Sequence, residues 1–433
     1  MTDPSDTVDA ADVGALDDKA RAILRQNDQG DYTVPTKGLY PFQWNWDSAL
    51  VALGFATFDM DRALREIETL LAAQWADGMV PHIVFWQDDT GYFPGHGEWG
   101  TAVSPPTSGI TQPPVAASVL IRLHQMGGEV ERVRRLLVKL DRWHRWFAEA
   151  RDPDGRGLVA IIHPWESGRD NLPDWDRPLS YVDTSKVGTY QRRDTQHVDA
   201  AQRPLKAEYD KYMALVQFGR DHGWNAEAIA SGNPFWVADV GMNAILLRAE
   251  RDLATLATAL GEAVIADAAT ERAERLAAGL ETLWHDELGG YVSLDLRHGD
   301  KADTLSAGTF LPLYGGGIAP GRAAALVATL RDWRDKVAYL VPSYDPNVER
   351  FDPVRYWRGP VWAIVNFMVA RGLADAGYGE LAEDVRADTA RLIAQSGFAE
   401  YFSATTGELC GGKDFSWTAA MWLAFASPSA SAE

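Results

Sequence analysis

The chain is short of cysteine, of basic residues and of long apolar runs, and each shortage removes a class of function. Cys410 is the single cysteine among 433 residues, so no intramolecular disulfide can form and a reducing compartment suits the chain. No apolar run reaches the ~18 residues that a membrane span requires. Residues 1–26 are acidic and polar, without the apolar stretch of a secretion signal. These features predict a soluble, cytoplasmic protein. Lys and Arg total 41 against 61 Asp and Glu, a net charge of −20 that repels nucleic acid and anionic membranes. His, Cys and Asp nowhere fall at metal-ligand spacing, so no metal and no other cofactor is expected. Gly315-Gly316-Gly317 lacks the strand and the Lys-Ser/Thr of a phosphate loop and reads as a connector.

What is present is apolar and aromatic. Hydrophobic residues make up 46% of the chain, enough for a sizeable core. The 17 Trp and 14 Tyr exceed what core packing asks for, so part of them is expected to line a pocket. Val130, Val133, Leu137, Leu140, Trp143 and Phe147 recur at spacings of three and four and predict a helix. Comparable patterns predict helices over 49–58, 61–75, 113–125, 204–218, 236–260, 263–283, 361–376, 381–395 and 415–425. Strand-like pieces are short, at 80–85, 158–162 and 290–296. Around a dozen helices, adjacent in pairs, predict an all-α fold in which hairpins close into an (α/α) toroid with inserted loops and short β hairpins. With no Pro/Ser-rich linker, one domain is expected over 13–427, between a flexible tail at 1–12 and a C-terminal tail at 428–433.

The chemistry concentrates between the helices. His163-Pro164-Trp165-Glu166-Ser167-Gly168-Arg169-Asp170-Asn171 puts carboxylates, an indole and a glycine in one loop-like run. A core has little use for that mixture, because unpaired carboxylates are costly to bury. A sugar-cleaving site needs an apolar plate to stack on, one carboxylic acid for the leaving oxygen and one carboxylate to activate water or attack carbon. Asp170 is the candidate in this loop, with Glu166, Asp174 and Asp176 as rivals and an Asx-turn cluster as the plainer reading. Glu400, between Phe398 and Tyr401-Phe402, is a second candidate, in surroundings that raise a carboxylate's pKa or demand a partner; Glu408 and Asp414 compete with it. Tyr40-Pro41-Phe42-Gln43-Trp44-Asn45-Trp46-Asp47 sets aromatics and an acid ahead of a helix, where Asp47 is either a cap or a sugar ligand. His82 and His163 read as hydrogen-bonded structural residues; a His-paired epimerase and a non-catalytic sugar binder are the competing classes.

Taken together these motifs resemble glycoside hydrolase family 63, and in particular its bacterial mannosylglycerate and glucosylglycerate hydrolases. The resemblance runs from about residue 36 to 425, through 40–47, 78–85, Thr111-Gln112-Pro113-Pro114, 163–171, Tyr356-Trp357-Arg358-Gly359-Pro360-Val361-Trp362 and 398–417. It implies an (α/α)6 barrel and an inverting mechanism, with Asp170 as general acid and Glu400 as general base. It also implies a sugar subsite of Tyr40, Trp44, Trp46, Asp47, Gln112, Trp165, Gly168, Tyr356, Trp357 and Trp362. Arg203 and Tyr209 would meet the substrate's other end, and Tyr92 would belong to a loop over the mouth. The implied reaction is hydrolysis of a small anionic glycoside, 2-O-α-D-glucosyl-D-glycerate and also its mannosyl counterpart, to free hexose and D-glycerate. A trehalase-like α-glucosidase on the same barrel is the alternative, and the pattern leaves a homo-oligomer open.

Overall fold

The computed structural model describes residues 10–89, 91–192 and 198–430. Its main helices are α1 (Ala10–Asn27), α2 (Asn45–Ala56), α3 (Met60–Ala72), α4 (Ala116–Gln125), α5 (Val130–Arg151), α6 (Lys206–Asp221), α7 (Val240–Ala259), α8 (Ala263–Glu281), α9 (Leu311–Gly315), α10 (Pro320–Arg334), α11 (Ala363–Asp375), α12 (Gly379–Ser396) and α13 (Ser416–Met421). They are of two kinds. α2 buries every residue from Asn45 to Phe55, and α9 and α13 are likewise buried throughout. A helix covered on all sides belongs inside a layered fold. α3 instead buries one stripe, including Ala63, Leu64, Ile67, Leu70 and Leu71, and turns its remaining face outward.

The buried helices form the inner ring. α2, α4, α7, α9, α11 and α13 each pack on the next, and α13 packs on α2 to close the circle. Outside them, α3 covers α2, α5 covers α4, α8 covers α7, α12 covers α11, and α1 covers α13. The two ends of the chain are therefore tied together. Asn27 Nδ2 donates to Ser416 Oγ at 2.9 Å, and Trp422 Nε1 to Asp17 Oδ1 at 2.7 Å. The fold is the (α/α)6 toroid.

The strands are two-residue pairings that pin loops rather than form a layer. Gln43–Trp44 pairs with Ile83–Val84, and Ala160–Ile161, Val237–Ala238 and Leu294–Asp295 make a three-stranded patch. Val237–Ala238 takes the start of the helix expected over 236–260, and Asp239 then caps α7 by accepting from the Gly241 and Met242 amides. α10 was not among the expected helices, although its buried stripe of Ala323, Leu326, Val327, Leu330 and Trp333 is regular. Of the expected tails, residues 1–9 and 431–433 lie outside the described residues; α1 opens at Ala10. Among the described residues no helix is long and apolar enough to cross a membrane.

Candidate active site

Several of the chemistry-bearing residues stand at the starts of inner helices or just before them. Trp44 is the residue before α2, with Trp46 and Asp47 in its first turn. Asp47 makes no cap; Gln112 Oε1 takes the Trp46 amide at 3.2 Å instead. Trp362 leads into α11, and Trp417 sits in the first turn of α13.

The 163–171 run is sorted by one tight turn. His163 Nδ1 accepts from the Trp165 amide at 3.0 Å, and its Nε2–H faces Tyr212 O at 3.1 Å. Burial pushes the imidazole down to about 3, so it stays neutral. Both nitrogens are occupied, and no proton-transfer role is left for it. Pro164–Ser167 makes a 3-10 turn, and Gly168 ends it at φ +66. A Cβ on Gly168 would stand 2.6 Å from the Trp46 ring, so this position requires glycine twice over. The reversal sends neighbouring side chains to opposite sides. Glu166 turns inward to the Thr111 amide (3.1 Å), the Ile162 amide (2.8 Å) and Arg151 (2.9 Å). Arg169 turns inward to both oxygens of Asp239, at 2.5 and 2.6 Å. Trp165 and Asp170 face the cavity. The rivals are occupied elsewhere: Asp174 with Ser293 and Ser306, Asp176 with Arg358.

Glu400 reaches the same cavity from the other side of the barrel, just before the Tyr401–Phe402 strand. It is 2% exposed and ringed by donors. Arg203 Nη1 and Nη2 approach its two oxygens at 3.1 and 2.6 Å, Tyr40 donates at 3.1 Å and the Gly412 amide at 2.8 Å. The Arg203 guanidinium lies over the Tyr356 ring at 4.9 Å, and the Tyr356 hydroxyl donates to Asp170 Oδ2 at 3.2 Å. A polar chain thus joins the two carboxyl groups. Burial raises the Asp170 carboxyl to about 7, against the Tyr356 hydrogen bond and the Arg203 charge, which oppose the rise, while Glu400 adds to it. Burial also holds Asp47 well above the usual carboxylate range, with Glu400 and Asp170 adding repulsion.

Of the residues expected here, Tyr40, Trp44, Trp46, Asp47, Tyr92, Gln112, Trp165, Gly168, Asp170, Arg203, Tyr209, Tyr356, Trp357 and Glu400 line this cavity. Trp362 does not. It stacks behind Trp357 at 3.8 Å and on Tyr401 at 4.4 Å, a backing plate rather than a wall. Tyr92 packs edge-on against Phe42 and Trp44, and its neighbour Phe93 stacks on Tyr190 at 4.9 Å while accepting the Tyr209 hydroxyl at 3.3 Å. Sequence reasoning passed over Arg192, Phe415 and Trp417, which also line the cavity. Trp417 Nε1 donates to Glu400 O at 3.1 Å; only its place in the aromatic run 415–417 hinted at it. Among the described residues no group of His, Cys, Asp and Glu could hold a metal ion.

Comparison with known proteins places the chain in a family. The mannosylglycerate hydrolase MGH1-like glycoside hydrolase domain matches residues 40–418. Mannosylglycerate hydrolase MGH1 of Selaginella moellendorffii is 47% identical over 94% of this chain and 84% of its own length. Glucosylglycerate hydrolase of Mycolicibacterium hassiacum is 37% identical over 94% and 96%. The crystal structure of the family 63 mannosylglycerate hydrolase from Thermus thermophilus, in complex with Tris and D-glycerate, superposes with a TM-score of 0.91 at 46% identity, covering 94% of this chain and 99% of that one. The chain is a glycoside hydrolase and belongs to the MGH1-like group of glycoside hydrolase family 63.

Proposed function

We propose that the protein hydrolyses 2-O-α-D-hexosyl-D-glycerate with inversion, using Asp170 as general acid and Glu400 as general base. The observation that carries this reading is that two carboxyl groups far apart in the chain share one aromatic cavity, one raised to about 7 and the other caged by donors. Asp170 gives its proton to the glycosidic oxygen as the bond to C1 breaks. The oxygen of a water bonds to C1 from the opposite ring face and passes a proton to Glu400. The products are the β-hexose and D-glycerate. An inverting pair leaves room for that water, with carboxyl groups roughly 6.5–9.5 Å apart. An acid with a pKa near 7 is well matched to neutral pH, where it is still protonated in good part.

The aglycone's carboxylate calls for a cation, and the cavity offers Arg192 and Arg203. The Thermus relative, crystallised with D-glycerate, supports an acid of that size as the aglycone. Glucose and mannose differ only at the C2 hydroxyl, so the sugar is set by hydrogen-bond placement. The 47% identical relative is named for the mannosyl compound and the 37% identical relative for the glucosyl one. Both are therefore proposed as substrates. The test is a panel of glucosylglycerate, mannosylglycerate and trehalose, with the first-formed hexose anomer read by proton NMR. Preference for trehalose overturns the substrate, and an α-hexose as first product overturns inversion.

A further inference from the structure

Glu400 has no acceptor position to spare. An ionised carboxylate offers about four lone-pair sites on its two oxygens. Oε1 takes the Tyr40 hydroxyl and Arg203 Nη1, both at 3.1 Å, and Oε2 takes Arg203 Nη2 at 2.6 Å and the Gly412 amide at 2.8 Å. A base that removes a proton from water needs one of those sites open. The Gly412 contact is locked, because the Glu400 amide returns a bond to Gly412 O at 2.8 Å. Tyr40 is wedged edge-on between Trp44 and Phe415, at 5.4 and 5.9 Å. Arg203 is the donor that can leave, and it occupies a site on each oxygen.

Arg203 also has a place for a second anion. It is 1% exposed, and its Nε has no hydrogen-bond partner among the described residues. A buried guanidinium N–H left open is costly and suits a charged acceptor arriving in the cavity. The guanidinium rests on the faces of Tyr356 and Tyr40, at 4.9 and 5.9 Å, and it can shift across them while keeping its attraction to the rings. Arg192, the cavity's other cation, rests on Tyr209 at 4.2 Å and donates to Pro204 O at 2.6 Å; neither contact involves a carboxyl group of the cavity.

We propose that the carboxylate of the departing aglycone docks on Arg203 and draws it off Glu400, so that the charge of the substrate releases the base. The proposal rests on the reading of Glu400 as base and glycerate as aglycone. It makes selection for an anionic glycoside a matter of turnover and not of binding alone. A neutral glycoside fills the sugar subsite but leaves Glu400 in its cage, and water is not activated.

The test uses α-D-glucosyl and α-D-mannosyl fluoride, whose leaving group departs without a proton from Asp170 while water attack still needs the base. Fluoride release by the full-length protein is followed with D-glycerate added in trans, and with glycerol as the uncharged control. Saturable activation by glycerate of about tenfold or more is expected, up to the ~10²–10⁴ that a positioned base contributes, with none from glycerol. Arg203→Gln should show the same rate with and without glycerate. If fluoride release from the native protein is unchanged or inhibited by glycerate, while Glu400→Gln is inactive on fluoride and the native protein cleaves hexosylglycerate, this inference alone fails. If Glu400→Gln still hydrolyses the fluoride, the base assignment fails and takes the inference with it.

Discussion

Replacing Arg169 by Met removes one half of a buried ion pair that sits directly behind Asp170. The guanidinium is 2.5 and 2.6 Å from the two oxygens of Asp239, with side-chain exposures of 2% and 0%. Space for it is reserved: a Cβ on Gly241 would lie 2.1 Å from Nη2, and one on Gly308 would lie 2.4 Å from Nη1. Breaking such a pair leaves an uncompensated buried charge and costs about 3–5 kcal/mol. Asp239 keeps the Gly241 and Met242 amides at 3.1 and 2.9 Å, which places the loss at the lower end, about 3 kcal/mol. That is a large share of a typical ~5–15 kcal/mol stability, yet survivable. The loop that presents Asp170 loses its tether to α7, so kcat on hexosylglycerate should fall more than KM changes. Urea denaturation of Arg169→Met, Asp239→Asn and the double variant measures the coupling. An interaction of about 2 kcal/mol is expected for a pair in direct contact. Additive effects, or a single-variant loss under about 0.5 kcal/mol, the range of ordinary surface changes, refute the reasoning.

Three further outcomes follow from the site. Asp170→Asn should lower kcat on hexosylglycerate by roughly 10²–10⁴, with a smaller loss on a hexosyl fluoride, and equal losses on both contradict an acid role. Because burial raises Asp170 to about 7 and the proposed general acid works in its protonated form, kcat/KM should fall as pH rises through 7; a flat profile between pH 6 and 9 counts against it. Gly411→Ala puts a Cβ 2.4 Å from Glu400 Oε2 at a backbone φ of +71, so kinetics should show a loss on the order of 10²-fold, and activity near that of the unmodified protein contradicts the placement of Glu400.

Most long helices were legible because their apolar stripes are regular, although α1 and α10 were not expected, and the (α/α) ring followed from the pairing of the rest. The exceptions are instructive. α2 begins at Asn45, ahead of the expected 49, because Asn45, Trp46 and Asp47 look like loop residues until a buried inner-ring position supplies partners for them. α9 is five apolar residues ending at Gly315, too short for periodicity to register, yet it is an inner helix of the ring; the positive φ values of Gly316 and Gly317 belong to the connector that follows it. In the site, residue type marked the aromatic runs but not which ring faces inward. Trp357 and Trp362 stack on each other, and only the first lines the cavity. Likewise nothing in residue type separates Glu166 from Asp170; the 3-10 turn and the positive φ of Gly168 do.

The charge of the cavity also differs from its composition. Three carboxyl groups would face the proposed anionic substrate inside a chain of net charge −20, an arrangement that looks repulsive. Exposed charges on the outer surface are largely screened beyond ~8–10 Å at ordinary ionic strength, so the groups inside decide. Burial holds Asp47 above the usual carboxylate range and raises Asp170 to about 7, so it works against negative charge at both groups. Glu400 is matched by the Arg203 fork. With Arg192 also on the wall, two guanidinium groups stand against the cavity's three carboxyl groups. The same burial that fits Asp170 for the proposed proton donation therefore lowers the cavity's repulsion of the proposed acidic substrate. A substitution that re-exposes Asp47 or Asp170 to water should weaken substrate binding and proton donation together.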